Sequence, residues 1–177
     1  MRMDAGIDTG AVFSRAMISV VDWETTGTLT QRVSMIGSMA LLDVLPQLSK
    51  NAISAVPQPS EGATYAGMVS KEAGRIDWCR SAAEIWRQVR AFQPWPGAYT
   101  TWDGKLVRLI ETKPVAKASG ETAGTVVELP GELPLGVVTG DGILGIQKLQ
   151  LEGKKPVTAE EFLRGARGFI GAVLGQA

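Results

Sequence analysis

The sequence predicts a short α/β segment followed by a mainly β module, a small barrel of the OB type with flanking helices. Three observations carry this prediction. An apolar, β-branched stretch precedes a long run of helical periodicity near the start of the chain. A tract rich in proline, glycine and serine then interrupts the pattern. Beyond it, five short strand candidates alternate with Asp-Gly and Pro-Gly turns. At 177 residues the chain has room for one ordinary domain or two small ones.

Gly10 leads into Ala11-Val12-Phe13, and residues Ala16 to Val21 have the composition of a strand. Leu29, Val33, Ile36, Met39, Ala40, Leu42, Val44 and Leu45 recur at helical spacing, which predicts a helix over about 27–48 with Pro46 loosening its last turn. A strand and a helix entered abruptly at residue 1 read as the end of an α/β domain, too little to close a sheet. Asn51 to Gly67 has linker composition. Ser81-Ala82-Ala83-Glu84 is a capping box, opening a helix whose face carries Ile85, Val89 and Phe92 and which Pro94 ends. Strands are expected over 99–102, 106–112, 125–129, 135–138 and 143–151, and a second capping box at Thr158–Glu161 opens a final helix.

The chain contains no histidine, which excludes Ser-His-Asp and Cys-His catalysis by its residues alone. With Cys79 as its single cysteine, an intramolecular disulfide is excluded and no metal site is expected. Acid–base work falls to carboxylates, lysines or tyrosines. No apolar run approaches the roughly 20 residues of a bilayer span, and Asp4 and Asp8 stand where a secretory signal would be basic and then apolar, so a cytoplasmic location is expected. Net charge is zero, but Lys71 to Lys117 holds nine basic residues against five acidic, while Glu121, Glu128, Glu132 and Asp141 form an acidic stretch. Such asymmetry permits a local face for phosphates, or an ordinary solvated surface.

Asp8 lies between Gly6 and Gly10, which let the backbone turn sharply and approach a ligand. It is either an exposed functional carboxylate or, with Asp4, a turn residue. Asp8-Thr9-Gly10 is also the tripeptide of aspartic proteases, but the chain holds one copy and only seven residues precede it. Arg75-Ile76-Asp77-Trp78 and Phe92-Gln93-Pro94-Trp95-Pro96-Gly97-Ala98-Tyr99 read first as packing devices in which Trp78 and Trp95 clamp a helix. Stacking of nucleotides on such aromatic and arginine clusters is the other reading. Lys154-Lys155 fits an exposed loop able to contact phosphates; the P-loop pattern is absent there.

In order and spacing, Met3–Gly10, Ser70-Lys71-Glu72, Arg75–Trp78, Arg90–Ala98, Gly140-Asp141-Gly142 and Leu149–Lys155 resemble methionyl-tRNA formyltransferases over nearly the whole chain. The resemblance implies formyl transfer from 10-formyltetrahydrofolate to the amino group of methionyl initiator tRNA, without a metal. It implies that residues 1–53 are the C-terminal part of a Rossmann-like catalytic domain, 54–73 a linker and 74–177 an OB-like tRNA-binding domain. Asp8 matches the family's catalytic Asp, whereas the Asn and His of that site belong to a segment upstream of residue 1. The chain is therefore expected to be N-terminally truncated and inactive alone. Tyr65, Lys71, Arg75, Arg87, Arg90, Lys154 and Lys155 are the expected tRNA contacts. The complete enzyme is expected to be a monomer. The truncated chain would leave Val12, Phe13, Ile18, Val20 and Ile36 uncovered and would self-associate. A sugar-nucleotide formyltransferase, a formyl-folate hydrolase and a non-catalytic RNA-binding module are the alternatives.

Overall fold

Thr25 is the pivot of the N-terminal half: its hydroxyl accepts the amide of Thr28, whose hydroxyl accepts the amide of Thr25 in return. This reciprocal cap starts α1 (Thr26–Ser49), which carries Pro46 inside its last turn. The computed structural model describes residues 1–116, 120–131 and 133–176. Lys117 and Glu132, part of the charge distribution above, lie outside them. The chain divides into two compact units, Met1–Met68 and Val69–Ala177; the linker expected over 54–73 spans that division.

In the first unit the strand expected over Ala16–Val21 does not form. Its composition favours a strand, but a strand needs a neighbouring strand to pair its backbone groups, and among the described residues it joins no strand ladder. The unit's strand-like pairing is an isolated antiparallel bridge between Val12 and Val56. Val44 is the one buried large apolar residue there, while Val33, Met39, Leu41, Leu42 and Leu45 on α1 are exposed. Of the residues expected to lie uncovered, Val20 is exposed and Val12, Phe13, Ile18 and Ile36 are half-buried. A part-buried ion pair missed by the sequence reading fixes the chain before α1. Arg32 donates to both Glu24 oxygens at 2.7 Å and to the Ser19 carbonyl at 2.7 Å. The Arg32 hydrogen bond, followed by the Val21 amide, lowers the Glu24 pKa.

Among its described residues the second unit contains α2 (Ala82–Ala91), α3 (Ala159–Gly165) and six antiparallel strands. These are β1 (Ala98–Trp102), β2 (Lys105–Val115), β3 (Val126–Glu128), β4 (Leu135–Val138), β5 (Ile143–Leu151) and β6 (Val157–Thr158). The sheet order is β1-β2-β5-β4-β3, with β6 on the far end of β5. In β2, Val107 and Leu109 point inward and Arg108 outward, the period-2 pattern of a strand with one covered face. Residues 143–146 of β5 are buried without interruption. Against this sheet α2 places Ile85 and Val89, and the segment through α3 adds Phe162 and Phe169. Ile110 falls out of register between β2 and β5, a bulge that turns its carbonyl toward the Gln93 side-chain amide, which donates to it.

The sequence motifs mostly build this frame. Gly140 donates to the Trp78 and Arg80 carbonyls, and a Cβ there would stand 1.9 Å from the Cys79 oxygen. The Asp141 carbonyl accepts the Ala82 amide, satisfying an otherwise unpaired donor at the start of α2. Trp78 is buried with its indole N–H on the Thr100 hydroxyl at 3.1 Å. Trp95 departs from the expected clamp: held between two prolines, it is 55% exposed. The predicted box at Ser81 is present, and the Ser81 hydroxyl and amide, then Arg80, hold the Glu84 carboxyl at a pKa of about 2. A carboxyl depressed in the folded state contributes fully above its ordinary value of 4.5 and loses that contribution as pH falls through about 2. An NMR titration of the Glu84 carboxyl carbon is expected to show a midpoint near 2; one near 4.5 would mean that the cap does not hold in solution.

Candidate functional site

The loop Met3–Gly10 treats its two carboxylates differently. Asp4 is consumed by the fold: its Oδ1 accepts the Thr9 hydroxyl at 2.6 Å and the Gly6 amide at 3.1 Å. The Asp8 carboxylate accepts no hydrogen bond from the described residues and is exposed. Its backbone is fixed instead. The Gln58 side-chain amide donates to the Asp8 and Gly10 carbonyls, both at 2.8 Å, and Asp8 adopts φ 55°. Asp is among the few non-glycine residues that enter this left-handed region readily. A Cβ at Gly10 would lie 1.7 Å from the Arg2 carbonyl oxygen, so the chain can close there only as glycine. Asp4 and Gln58 thus hold a turn that offers the Asp8 carboxylate outward as a proton acceptor or hydrogen-bond acceptor.

Tyr65 lies in the first unit, 85% exposed. Lys71 and Arg75 flank the short 3-10 turn Glu72–Gly74 and are exposed. Gln88 of α2 donates to the Ala73 and Arg75 carbonyls, at 2.9 and 3.1 Å, so the helix bearing Arg87 and Arg90 is tied to the segment bearing Lys71 and Arg75. Arg87 is exposed, whereas the Arg90 guanidinium stacks 3.9 Å from the Trp86 ring centroid. Lys154 and Lys155 stand apart in sequence and fold, in the turn between β5 and β6. That turn is tightly made: Gly153 has φ 71°, the Lys154 amide donates to Leu151, and Gln150 donates to the Lys154 carbonyl.

The sequence reading missed two cations beside this lysine pair. Lys105 and Arg167 line the same groove as Lys154 and Lys155. Lys105 follows the Asp103-Gly104 turn, and the Leu106 amide reaches the Glu152 carboxylate at 3.1 Å, joining the two turns. The juxtaposition follows from the pairing Val107↔Leu151 across β2 and β5. Strand periodicity predicts each strand but not that register. Among the described residues no cluster of three His, Cys, Asp or Glu side chains is placed to hold a metal, and no helix is long and apolar enough to cross a membrane.

Residues 68–167 match the family described as formyl transferase, C-terminal domain. Over 99% of its length the chain is 41% identical to a methionyl-tRNA formyltransferase of Dehalococcoides mccartyi, covering 55% of that protein. It is 40% identical to the Paraburkholderia phymatum methionyl-tRNA formyltransferase over 94% of the chain and 51% of the relative. The corresponding Bacillus pumilus protein is 37% identical over 99% of the chain and 55% of the relative. The chain therefore spans about half the length of the curated relatives it matches. Among solved structures, HypX from Aquifex aeolicus in complex with tetrahydrofolic acid has a similar fold. The TM-score is 0.68 at 20% identity, covering 96% of this chain and 30% of HypX.

Proposed function

The chain belongs to the formyl transferase family, with its C-terminal domain in residues 68–167, and on that premise we propose that residues 1–177 serve formyl transfer to methionyl initiator tRNA in the cytoplasm. In this reading 10-formyltetrahydrofolate is the formyl donor. Residues 1–53 are the end of a Rossmann-like catalytic domain, 54–73 a linker, and 74–177 an OB-like domain that holds tRNA. The observation that carries the reading is the division of labour in the Asp8 loop, where Asp4 braces the turn and Asp8 is left exposed with its carboxylate unengaged.

The attacking amine must be neutral, so its ammonium form has to lose a proton. A carboxylate at the turn can accept that proton and release it later. Formyl transfer also develops negative charge on the formyl oxygen, which calls for a hydrogen-bond donor; Asp8 cannot supply one while ionised. The Asn and His that the resemblance implies are the candidates for the missing roles, and no histidine lies within residues 1–177. Two grooves among the described residues of the first unit are lined by residues such as Phe13, Ile18, Ile36 and Val56, and Asp8 lines neither. Residues 1–177 therefore offer the donor one carboxylate, that of Asp8.

Tyr65, Lys71, Arg75, Arg87, Arg90, Lys154 and Lys155 form the proposed tRNA-contacting set. The exposure of Tyr65, Lys71, Arg75, Arg87, Lys154 and Lys155, and the absence of ion pairs at Lys71, Arg75, Lys154 and Lys155 among the described residues, support it. Filter binding of methionyl initiator tRNA to residues 1–177 is expected to weaken steadily with salt. Lys71→Ala should reduce the slope of log K against log salt by about 0.7–0.9, the value of one phosphate contact. Affinity independent of salt, or no detectable binding, would contradict the assignment.

A further inference from the structure

The groove that holds Lys154 and Lys155 has a volume of about 630 Å³, within the roughly 300–1,000 Å³ typical of ligand sites. Its floor is apolar. Trp102 stands edge-on to Phe162, with ring centroids 6.0 Å apart, and to Phe169, at 4.8 Å. Leu151 and Val157 continue that surface. The rim is cationic, with Lys105, Lys154, Lys155 and Arg167, and none of these four is in an ion pair among the described residues. Arg80 and Lys148 of the same unit are paired, with Glu84 at 3.2 Å and with Glu111 at 3.6 Å. One acid, Glu161, lines the groove, and its Oε2 accepts the Thr158 amide at 3.0 Å as part of the α3 cap.

Four cations gathered around an apolar floor with one carboxylate among them repel one another, and an anionic occupant removes that cost. The turns presenting Lys105, Lys154 and Lys155 are joined by the Leu106–Glu152 hydrogen bond, so the backbone needs little ordering on binding. A ligand matching both features needs a flat apolar part for the Trp102 ring and anionic groups on either side. A nucleotide within a chain has that form.

We propose that this groove takes an unpaired nucleotide of the RNA substrate, its base against Trp102 and its flanking phosphates on Lys105, Lys154, Lys155 and Arg167. The proposal rests on the tRNA-binding reading above and adds the mode of recognition: stacking of a base that is not in a duplex, in addition to contact with the helical backbone.

The test uses residues 1–177, a single-stranded oligoribonucleotide of about four nucleotides, a size within single-strand binding footprints, and methionyl initiator tRNA. The indole N–H resonance of Trp102 is followed by NMR, and tRNA affinity is measured against salt. The oligonucleotide is expected to shift the Trp102 indole saturably. The double variant Lys154→Glu/Lys155→Glu, its amide dispersion retained, should abolish that shift and weaken tRNA binding about tenfold or more, with the salt slope reduced by roughly 1.4–1.8 for two lost phosphate contacts. If tRNA binds the double variant as tightly as the parent chain and Trp102 does not respond to RNA, the groove is not an RNA site and Lys154 and Lys155 leave the tRNA-contacting set, while tRNA binding through the remaining residues stands. Equal Trp102 shifts from inorganic phosphate or triglutamate at the same concentrations would also overturn the proposal, leaving a general anion site. Failure of the parent chain to bind tRNA at all would overturn both readings.

Discussion

Asp8→Asn lowers kcat for formyl transfer by about 10²–10⁴-fold, the usual contribution of a positioned general base, and leaves KM for tRNA within about twofold. The expectation applies to residues 1–177 joined behind the upstream half of the Dehalococcoides mccartyi relative, which is 41% identical over the shared region. Asparagine is the informative replacement. Like aspartate it tolerates the left-handed conformation at φ 55°, and it preserves the size of the side chain. The Gln58 hydrogen bonds go to backbone carbonyls and survive the change. What is lost is the capacity to accept a proton near neutral pH. Steady-state kinetics with methionyl-tRNA as the varied substrate separates the terms. A fall confined to kcat assigns Asp8 to the chemical step, whereas rates within tenfold of the parent would return it to the status of a turn residue.

Phe169→Ala destabilises the second unit by about 3–5 kcal/mol, the range for removing a buried aromatic side chain. Phe169 is fully buried and meets both Trp102 and Phe162 edge-on, at 4.8 and 4.9 Å. Its loss would open a cavity between the end of β1 and α3, beneath the groove. Since domains of this size have net stabilities of about 5–15 kcal/mol, the variant loses a large fraction of the total. Leu42→Ala on α1 provides the contrast: Leu42 is 69% exposed, and surface replacements of that kind change stability by less than about 0.5 kcal/mol. Urea denaturation of the full chain checks both variants. Equal effects would mean that the cores of the two units are misassigned.

Local signals were the legible part of the fold. Ser81–Glu84 and Thr158–Glu161 both close as reciprocal caps because that interaction involves only neighbouring residues. The five longer strands of the second unit were readable from alternation and turn residues, while β6, two residues long, carries no such signal. The misreadings share a cause. Ala16–Val21 has strand composition but lacks a partner, and Trp95 has the size of a core anchor but emerges from a proline-flanked turn. Both outcomes depend on what lies opposite the residue, which composition does not encode. The same limit hid Lys105 and Arg167 from the candidate site, since strand register and the packing of the α3 region bring them to Lys154 and Lys155. At the Asp8 loop the residues by themselves left open whether Asp8, like Asp4, is a turn residue. The hydrogen bonds of Asp4 distinguish them.

The most direct test of the central claim is the identity of the formylated product made by the chimera described above when 10-formyltetrahydrofolate is supplied with methionyl initiator tRNA, a nucleotide amino-sugar and water as competing acceptors. Formylmethionyl-tRNA as the dominant product, lost on Asp8→Asn, is the predicted result. Predominant release of formate, or formylation of the amino-sugar at a comparable or greater rate, would contradict the assignment.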